Sequence, residues 1–202
     1  MKKVMLSAAV CAMAFSANAD VASEVEVIEA AQTSAFSSIY GGLGIGGSFL
    51  KFADGDLKAN RFMGSFVLGG GKVFNNNVYV GGEFLADFMK NKKWEDNKGN
   101  AESKGFMPQI DLKVGYAFKN NSLVYGKLGC AWSKVSLYDK SEDESESKTK
   151  ASFVLGLGAE KAFCKKFSAA VEGDYNFGWK WNDVRNNKGW TVRALVKYNV
   201  KY

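Results

Sequence analysis

The residues best suited to chemistry in this sequence are pairs of carboxylates. Glu172 and Asp174 stand two positions apart, and Glu83 and Asp87 stand four apart, so each pair shares one face if its segment is a β-strand. Paired acids can act as general acid and general base. Carboxylates on one face of neighbouring strands also form one half of a salt-bridge network, and the strand pattern described below favours that second role.

The absence of histidine excludes the catalytic sites and metal sites that depend on this residue. The chain has 202 residues and no histidine, so a Ser-His-Asp triad, a Cys-His pair and a histidine-ligated zinc or haem are impossible. We therefore predict that the protein is not an enzyme, and that it has no catalytic residues, no metal site and no cofactor.

Three further stretches fit a ligand site poorly. Gly69, Gly70 and Gly71 are not followed by the GK[ST] of a phosphate loop, and no helix is apparent there. The acidic run 141–146 lacks the spacing and the glycine of a calcium loop. The loop 91–104 is rich in lysine, which suits phosphates or other polyanions, but we favour a solvated loop.

The first residues predict export from the cytoplasm. Residues 1–19 combine an early pair of lysines, an apolar stretch over 4–15 and the small residues Ala17 and Ala19, the pattern of a cleaved secretory signal peptide. The apolar stretch is too short to span a bilayer as a helix. Residues 20–37 are polar and are interpreted as a short periplasmic lead-in.

Charge and cysteine content add two exclusions. Cleavage would remove two lysines and lower the formal net charge from +6 to +6 − 2 = +4, and the remaining lysines are scattered, so no nucleic-acid partner is expected. Cys130 falls within a predicted strand and Cys164 in a turn at the far end of that strand. We therefore expect two free or buried thiols and no disulfide.

From residue 38 onward, apolar and polar residues alternate with a period of two. In segment 190–202 every even position is apolar or aromatic, and among the odd positions only Leu195 is apolar. Such alternation is typical of a half-buried β-strand. The pattern, weaker where glycine is frequent, predicts eight long strands: 38–52, 61–73, 78–90, 106–118, 123–138, 151–163, 167–181 and 190–202.

The connections between these strands alternate in length. Segments 74–77, 119–122 and 164–166 are tight turns, and the asparagines in the first two suit backbone conformations with positive φ. The other connections are longer polar loops: 53–60, 91–104, 139–150 and 182–189. Short turns on one side and long loops on the other are typical of an up-and-down barrel in an outer membrane. A single barrel domain over 38–202 is therefore predicted.

Bulky side chains decide which face of the strands points outward. The interior of an eight-stranded barrel is only just wide enough for side chains to fill. The apolar face carries most of the aromatic residues, whereas the polar face is rich in glycine and alanine. We therefore predict that the apolar face contacts lipid, with aromatic residues concentrated at both ends of the strands.

The inward face then carries a nearly balanced set of charges. Buried charges are tolerated when they are paired, so six acidic and five basic residues predict an ionic network that plugs the lumen. The predicted network consists of Glu83, Asp87, Asp111, Glu160, Glu172, Asp174, Lys113, Lys127, Lys180, Arg193 and Lys197.

Taken together, these features resemble the small bacterial outer-membrane β-barrel family, which includes the opacity proteins, the OmpX/Ail-type proteins and the transmembrane domain of OmpA. The resemblance covers about 38–202, and the last strand is its most specific part. Tyr202, Val200 and Tyr198 stand at alternate positions, as in the C-terminal signal that the barrel-assembly machinery reads in this family. The fold expected is an all-β, eight-stranded antiparallel up-and-down transmembrane β-barrel.

The resemblance also implies a function without catalysis. The enzymes built on similar barrels depend on histidine, which this chain lacks. The implied role is structural or one of surface interaction, namely adhesion, host interaction or membrane integrity. The implied partners are outer-membrane lipid and lipopolysaccharide, the barrel-assembly machinery, and host surface ligands that contact the four long loops. Two alternatives remain open: a narrow porin for ions or small solutes, and a soluble secreted lipid-binding barrel.

Overall fold

The computed structural model describes residues 36–52, 57–96, 99–103, 105–138, 145–178 and 187–200. Within these ranges, no helix is long and apolar enough to cross a membrane. The regular structure is entirely β-strand: β1 Ser38–Phe52, β2 Leu57–Val73, β3 Val78–Met89, β4 Lys92–Asp96, β5 Gly99–Ser103, β6 Phe106–Phe118, β7 Ser122–Tyr138, β8 Ser145–Ala162, β9 Phe167–Gly178 and β10 Asn187–Val200.

Eight of these strands close into a barrel. The long strands pair antiparallel with their neighbours in chain order, from β1–β2 and β2–β3 through β3–β6, β6–β7 and β7–β8 to β8–β9 and β9–β10. β1 also pairs with β10, from Ile39 opposite Val200 to Phe52 opposite Asn187. Each long strand is therefore paired on both sides over the body of the barrel, which removes the exposed edges of an open sheet. The prediction of an eight-stranded antiparallel up-and-down barrel is therefore confirmed.

The loops differ from the sequence expectation in one respect, because strands extend into them. β4 and β5 form a hairpin inside the predicted loop 91–104, and β5 pairs with β7 from Asn100 opposite Tyr138 to Ser103 opposite Val135. β7 extends past the end of its pairing with β6, so its backbone groups need another partner, and β5 supplies one. β2, β8 and β10 likewise begin inside the predicted loops 53–60, 139–150 and 182–189.

Two tight turns are made by asparagine as predicted. Asn77 and Asn121 have φ values of 62° and 59°, a left-handed conformation that asparagine adopts more readily than most residues. The Asn77 backbone N–H donates to the Phe74 carbonyl at 2.9 Å, and the Phe74 N–H donates to the Val78 carbonyl at 2.9 Å. These bonds fix the register between β2 and β3.

The strands turn their apolar face outward. Phe62, Leu157 and Phe163 have exposed fractions of 73%, 72% and 71%. Among described residues, aromatic ring contacts occur near the long loops, as between Phe88 and Phe106 at 5.4 Å, and also near the turns, as between Phe167 and Tyr198 at 5.2 Å. A soluble barrel would bury these side chains in its interior, so the soluble alternative is wrong. Trp179, Trp181 and Tyr202 lie outside the described residues.

Candidate functional site: the charged lumen of the barrel

The interior of the barrel holds a dense set of buried charges. Strand alternation points these side chains inward from β3 and from β6 to β10, and each has an exposed fraction of at most 5%. The described set comprises Glu83, Asp87, Asp111, Glu160, Glu172, Asp174, Lys113, Lys127, Arg193 and Lys197. Lys180, the remaining predicted member, lies outside the described residues.

Arg193 joins opposite sides of the lumen at the end nearer the long loops. Its Nε donates to Asp87 Oδ1 of β3 at 3.1 Å, and its Nη1 pairs with Asp174 of the adjacent strand β9. Ser65 Oγ also donates to Asp87 Oδ1, at 2.6 Å, and Gln109 Nε2 donates to Asp174 Oδ2 at 3.2 Å. The planar guanidinium has donors for both carboxylates at once, so one side chain fixes two strands.

Two lysines form the middle of the network. Lys127 Nζ lies 2.7 Å from Glu172 Oε2, 2.9 Å from Asp111 Oδ2 and 3.3 Å from Asp174 Oδ2. Lys113 Nζ lies 2.9 Å from Glu172 Oε1 and also pairs with Glu83. Glu172 therefore accepts from both lysines, one on each oxygen.

The network continues toward the turns through Lys197 and a series of neutral groups. Lys197 Nζ lies 2.9 Å from Glu160 Oε2 and 3.4 Å from Glu83 Oε2. Ser168 Oγ donates to Glu160 Oε1 at 2.6 Å, Asn199 Nδ2 donates to Ser168 Oγ at 3.3 Å, and Ser38 Oγ donates to Asn199 Oδ1 at 3.4 Å. Hydrogen bonds and ion pairs thus run from Ser65 to Ser38, along much of the length of the lumen.

Three inward tyrosines belong to this site, and the sequence analysis missed them. Tyr40 Oη donates to Glu83 Oε2 at 2.8 Å, and Tyr125 Oη donates to Glu172 Oε1 at 2.6 Å. Lys197 Nζ lies 4.6 Å from the centroid of the Tyr40 ring, and Lys113 Nζ lies 4.4 Å from that of Tyr125, within the range of a cation–π attraction. The third is Tyr79. Their positions in the strands could have predicted them, because residues two apart in a strand share a face, and Tyr125 lies two positions before the inward residue Lys127.

Glycines on adjacent strands make room for these rings. A Cβ atom at Gly158 would collide with the Tyr125 ring, and one at Gly69 would collide with the Tyr40 ring. Glycine in a strand often marks such a close approach. The glycine-rich inner face noted in the sequence is therefore the counterpart of a lumen that holds three aromatic rings besides its charges.

Apolar side chains cover the network at both ends. At the turn side, Phe36 packs in a buried cluster with Tyr79, Leu123 and Tyr125. At the loop side, Met107, Ala131 and Val154 form a second buried cluster. The charges therefore lie in a buried interior, where breaking a pair leaves an uncompensated charge.

The chemistry of this arrangement is that of ion pairing. Each buried carboxylate in the described network contacts a cation or a hydrogen-bond donor, which does not resemble an acid–base pair with an open substrate pocket. In the part of the chain that the structure describes, no cluster of Cys, Asp and Glu has the geometry to hold a metal ion.

Comparison with known proteins identifies the family of this barrel. A family described as "Outer membrane protein beta-barrel domain" matches residues 6–198. The chain belongs to this outer-membrane β-barrel family. No curated protein matches the sequence. Family membership, with the outward apolar face, places the eight long strands across a bacterial outer membrane.

Solved structures share the fold at low sequence identity. Ail, the attachment invasion locus protein of Yersinia pestis, is 19% identical with a TM-score of 0.56, over 81% of this chain and 99% of Ail. Neisserial surface protein A is 13% identical with a TM-score of 0.57, over 80% of this chain and 97% of its own. A second Ail structure, in complex with the heparin analogue sucrose octasulfate, has a TM-score of 0.55 at 19% identity, over 81% of this chain and 99% of Ail. At these identities the likeness shows the fold alone.

The remaining predicted residues lie at the ends of the barrel or outside the described chain. Tyr198 and Val200 face outward on β10, opposite Gly41 and Ile39 of β1. Cys130 and Cys164 are free thiols in the structure, and both are exposed rather than buried. Tyr202 and the cleavage residues Ala17 and Ala19 lie outside the described residues.

Proposed function

We propose that this protein is a closed outer-membrane barrel that presents surface loops, with a structural or surface-interaction role and no catalytic activity. The single observation that carries the proposal is the ionic network that bridges the lumen. Arg193 spans from β10 to Asp87 on β3, and Lys113 contacts carboxylates from both β3 and β9. These contacts occupy the path that a solute would take.

The energetics of the network support a closed lumen. Removing one partner of a buried ion pair costs about 3–5 kcal/mol, because the other charge is left buried and unpaired. Opening a path through the barrel would separate several such pairs at once. A rigid, filled barrel is instead suited to hold loops in fixed positions, which is where binding residues are commonly found.

The candidate binding surface is formed by the long loops 53–60, 91–104, 139–150 and 182–189. The hairpin of β4 and β5 extends the barrel wall on the loop side, and its segment carries the basic residues Lys90, Lys92, Lys93, Lys98 and Lys104. Ail has been solved with a heparin analogue. By analogy, we assign to this basic segment the binding of polyanions, such as lipopolysaccharide phosphates or sulfated host polysaccharides.

Export and assembly complete the proposal. Residues 1–19 act as a signal peptide cleaved after Ala19, and the long loops face the cell exterior. Residues 20–37 form a lead-in on the periplasmic side, and its Phe36 packs into the turn end of the barrel. The barrel-assembly machinery reads the last strand through Tyr198, Val200 and Tyr202. The alternation of β10, with Tyr198 and Val200 on the outer face, supports this role.

Conductance in planar lipid bilayers tests the closed lumen. The purified wild-type barrel should give no steady channel on the scale of nanosiemens. A double variant, Glu83→Ala with Lys113→Ala, removes one pair from the middle of the network and should conduct more than the wild type, provided that heat-modifiable gel migration shows that it is folded. Steady wild-type channels would contradict the closed lumen and favour the narrow porin.

Binding to immobilised heparin tests the loops. A Lys92→Gln/Lys93→Gln variant should bind several-fold more weakly than the wild type, and binding should fall as salt is raised. Lys165→Gln/Lys166→Gln is the matched control, since it removes the same charge from a turn at the opposite end of the barrel. Equal loss in both variants would contradict a role for segment 91–104.

A further inference from the structure

An apolar groove runs along the outer wall of the barrel, across β6 to β10. Its volume is about 680 Å³, within the range of about 300–1,000 Å³ typical of ligand pockets. Most of the lining side chains are apolar or aromatic: Leu112, Val114, Leu128, Leu155, Leu157, Tyr175, Phe177 and Trp190. The glycines Gly126, Gly156 and Gly173 and the inward residue Lys127 complete its lining.

Two successive rows of outward residues build the groove. The row nearer the long loops is continuous and bulky, running from Leu112 through Leu128 and Leu155 to Tyr175 and Trp190. The next row reads Val114, Gly126, Leu157, Gly173 and Val192. A glycine therefore lies on each side of Leu157, so no side chain projects from the second row at these two positions.

These outward glycines have no explanation inside the protein. A Cβ at Gly173 would meet nothing within 4 Å, and one at Gly126 would only touch the Val114 carbonyl at 3.9 Å. The inward glycines differ, because a Cβ at Gly156 would collide with the Asp174 carboxylate. A glycine within a strand costs about 0.5–1 kcal/mol relative to alanine. The space kept open at Gly126 and Gly173 is therefore on the membrane side.

We propose that this groove binds an acyl chain of lipopolysaccharide. The wall on which it lies faces lipid, and its lining offers hydrocarbon surface with scarcely any polar group, which suits an alkyl chain. At the loop side it ends in a cluster of rings, with Tyr175 4.7 Å from Phe177 and 4.9 Å from Trp190 between centroids. Aromatic residues of this kind mark the level of the lipid headgroups.

A cation stands where the headgroup of that lipid would lie. Lys188 is exposed and lies two positions beyond Trp190 on the outer face of β10, so its ammonium is available to a phosphate. With the long loops outside the cell, which rests on the orientation proposed above, the aromatic end of the groove is in the outer leaflet. The lipid of that leaflet is lipopolysaccharide, whose lipid A anchor carries both acyl chains and phosphates.

Lipid retained on the purified barrel tests this assignment. The folded protein is placed in nanodiscs that contain rough lipopolysaccharide and phosphatidylethanolamine, extracted in mild detergent and analysed by native mass spectrometry. The wild type should retain about one lipopolysaccharide per chain. Gly126→Leu with Gly173→Leu fills the groove and should lower retention at least fivefold. Gly64→Leu is the matched control, because it is an outward glycine outside the groove, on β2, with open space at its Cβ.

Each outcome decides the proposal. Retention by the wild type and by Gly64→Leu, with loss in the double variant, supports it. Equal retention of lipopolysaccharide by all three proteins would show that it is unspecific boundary lipid. Preferential retention of phosphatidylethanolamine would show that the groove binds the lipid of the other leaflet. Either result would overturn the proposal. A wild-type dimer that only the double variant loses would show that a second copy occupies the groove. A closed, loop-presenting barrel would survive any of these failures, since conductance and heparin binding test it independently.

Discussion

The two faces of a single strand show how differently this barrel is stabilised inside and outside. On β10, Arg193 and Lys197 are fully buried and form ion pairs with Asp174 and Glu160, respectively. Val196 on the same strand has an exposed fraction of 60%. The inner side chains have particular partners at particular distances. The outer ones need only be apolar, because lipid surrounds them. The same alternation thus encodes a specific interior and a permissive exterior.

That contrast predicts that the largest loss of stability follows from a change inside. Arg193→Met keeps much of the side-chain volume but leaves Asp87 and Asp174 without their shared cation, so we expect a loss of about 3–5 kcal/mol in the free energy of unfolding. Urea unfolding of the barrel in lipid vesicles, followed by tryptophan fluorescence, measures this. Lys188→Met removes the same charge number from an exposed position of the same strand and should change stability by less than about 0.5 kcal/mol. Similar losses in both variants would contradict the contrast.

On the outside, polarity should matter and shape should not. Val196→Lys places a charge on the lipid-facing side of β10. Such a substitution costs about 2–4 kcal/mol at the middle of the bilayer and less toward either interface, and because Val196 lies between the two we expect a loss of about 1–3 kcal/mol. Val196→Ile keeps the position apolar and should lie within about 0.5 kcal/mol of the wild type. The same unfolding experiment compares them. If Val196→Ile were as costly as Val196→Lys, the outer face would require specific packing.

The sequence could predict the exterior and the strand count more fully than the interior. Period-two alternation is enough to find eight strands and to assign ionic residues such as Glu172 and Lys127 to one face, because alternation depends only on local sequence. It does not say which acid meets which base, since that depends on barrel closure and strand tilt. The pairing of Arg193 with Asp87, across the lumen, is therefore visible only in the three-dimensional fold.

In the glycine-rich strands, the alternation of apolar and polar residues is too weak to show that tyrosines also face inward. Tyr40 and Tyr79 lie on or beside glycine-rich strands, and bulk alone argued for placing aromatic rings outside. In the structure, each inward ring lies beside a glycine on the neighbouring strand. Gly69 on β2, for example, leaves the volume that the Tyr40 ring on β1 occupies. The hairpin of β4 and β5 was missed for a related reason, since its pairing with β7 is a tertiary contact.

The inward tyrosines allow the smallest change by which the two faces can be compared, the loss of one hydroxyl group. Tyr125→Phe retains the ring beside Gly158 and the cation–π contact with Lys113, and it removes only the hydroxyl that donates to Glu172 Oε1 at 2.6 Å. A hydrogen bond to a charged group contributes about 1.5–3 kcal/mol. Because Glu172 keeps Lys113 and Lys127 as partners, we expect a loss at the lower end of that range. Tyr198→Phe is the control, since that ring lies on the outer face, and it should change stability by less than about 0.5 kcal/mol. If Tyr125→Phe were equally neutral, the ion pairs alone would hold the lumen, and the tyrosines would serve only to fill space beside the glycines.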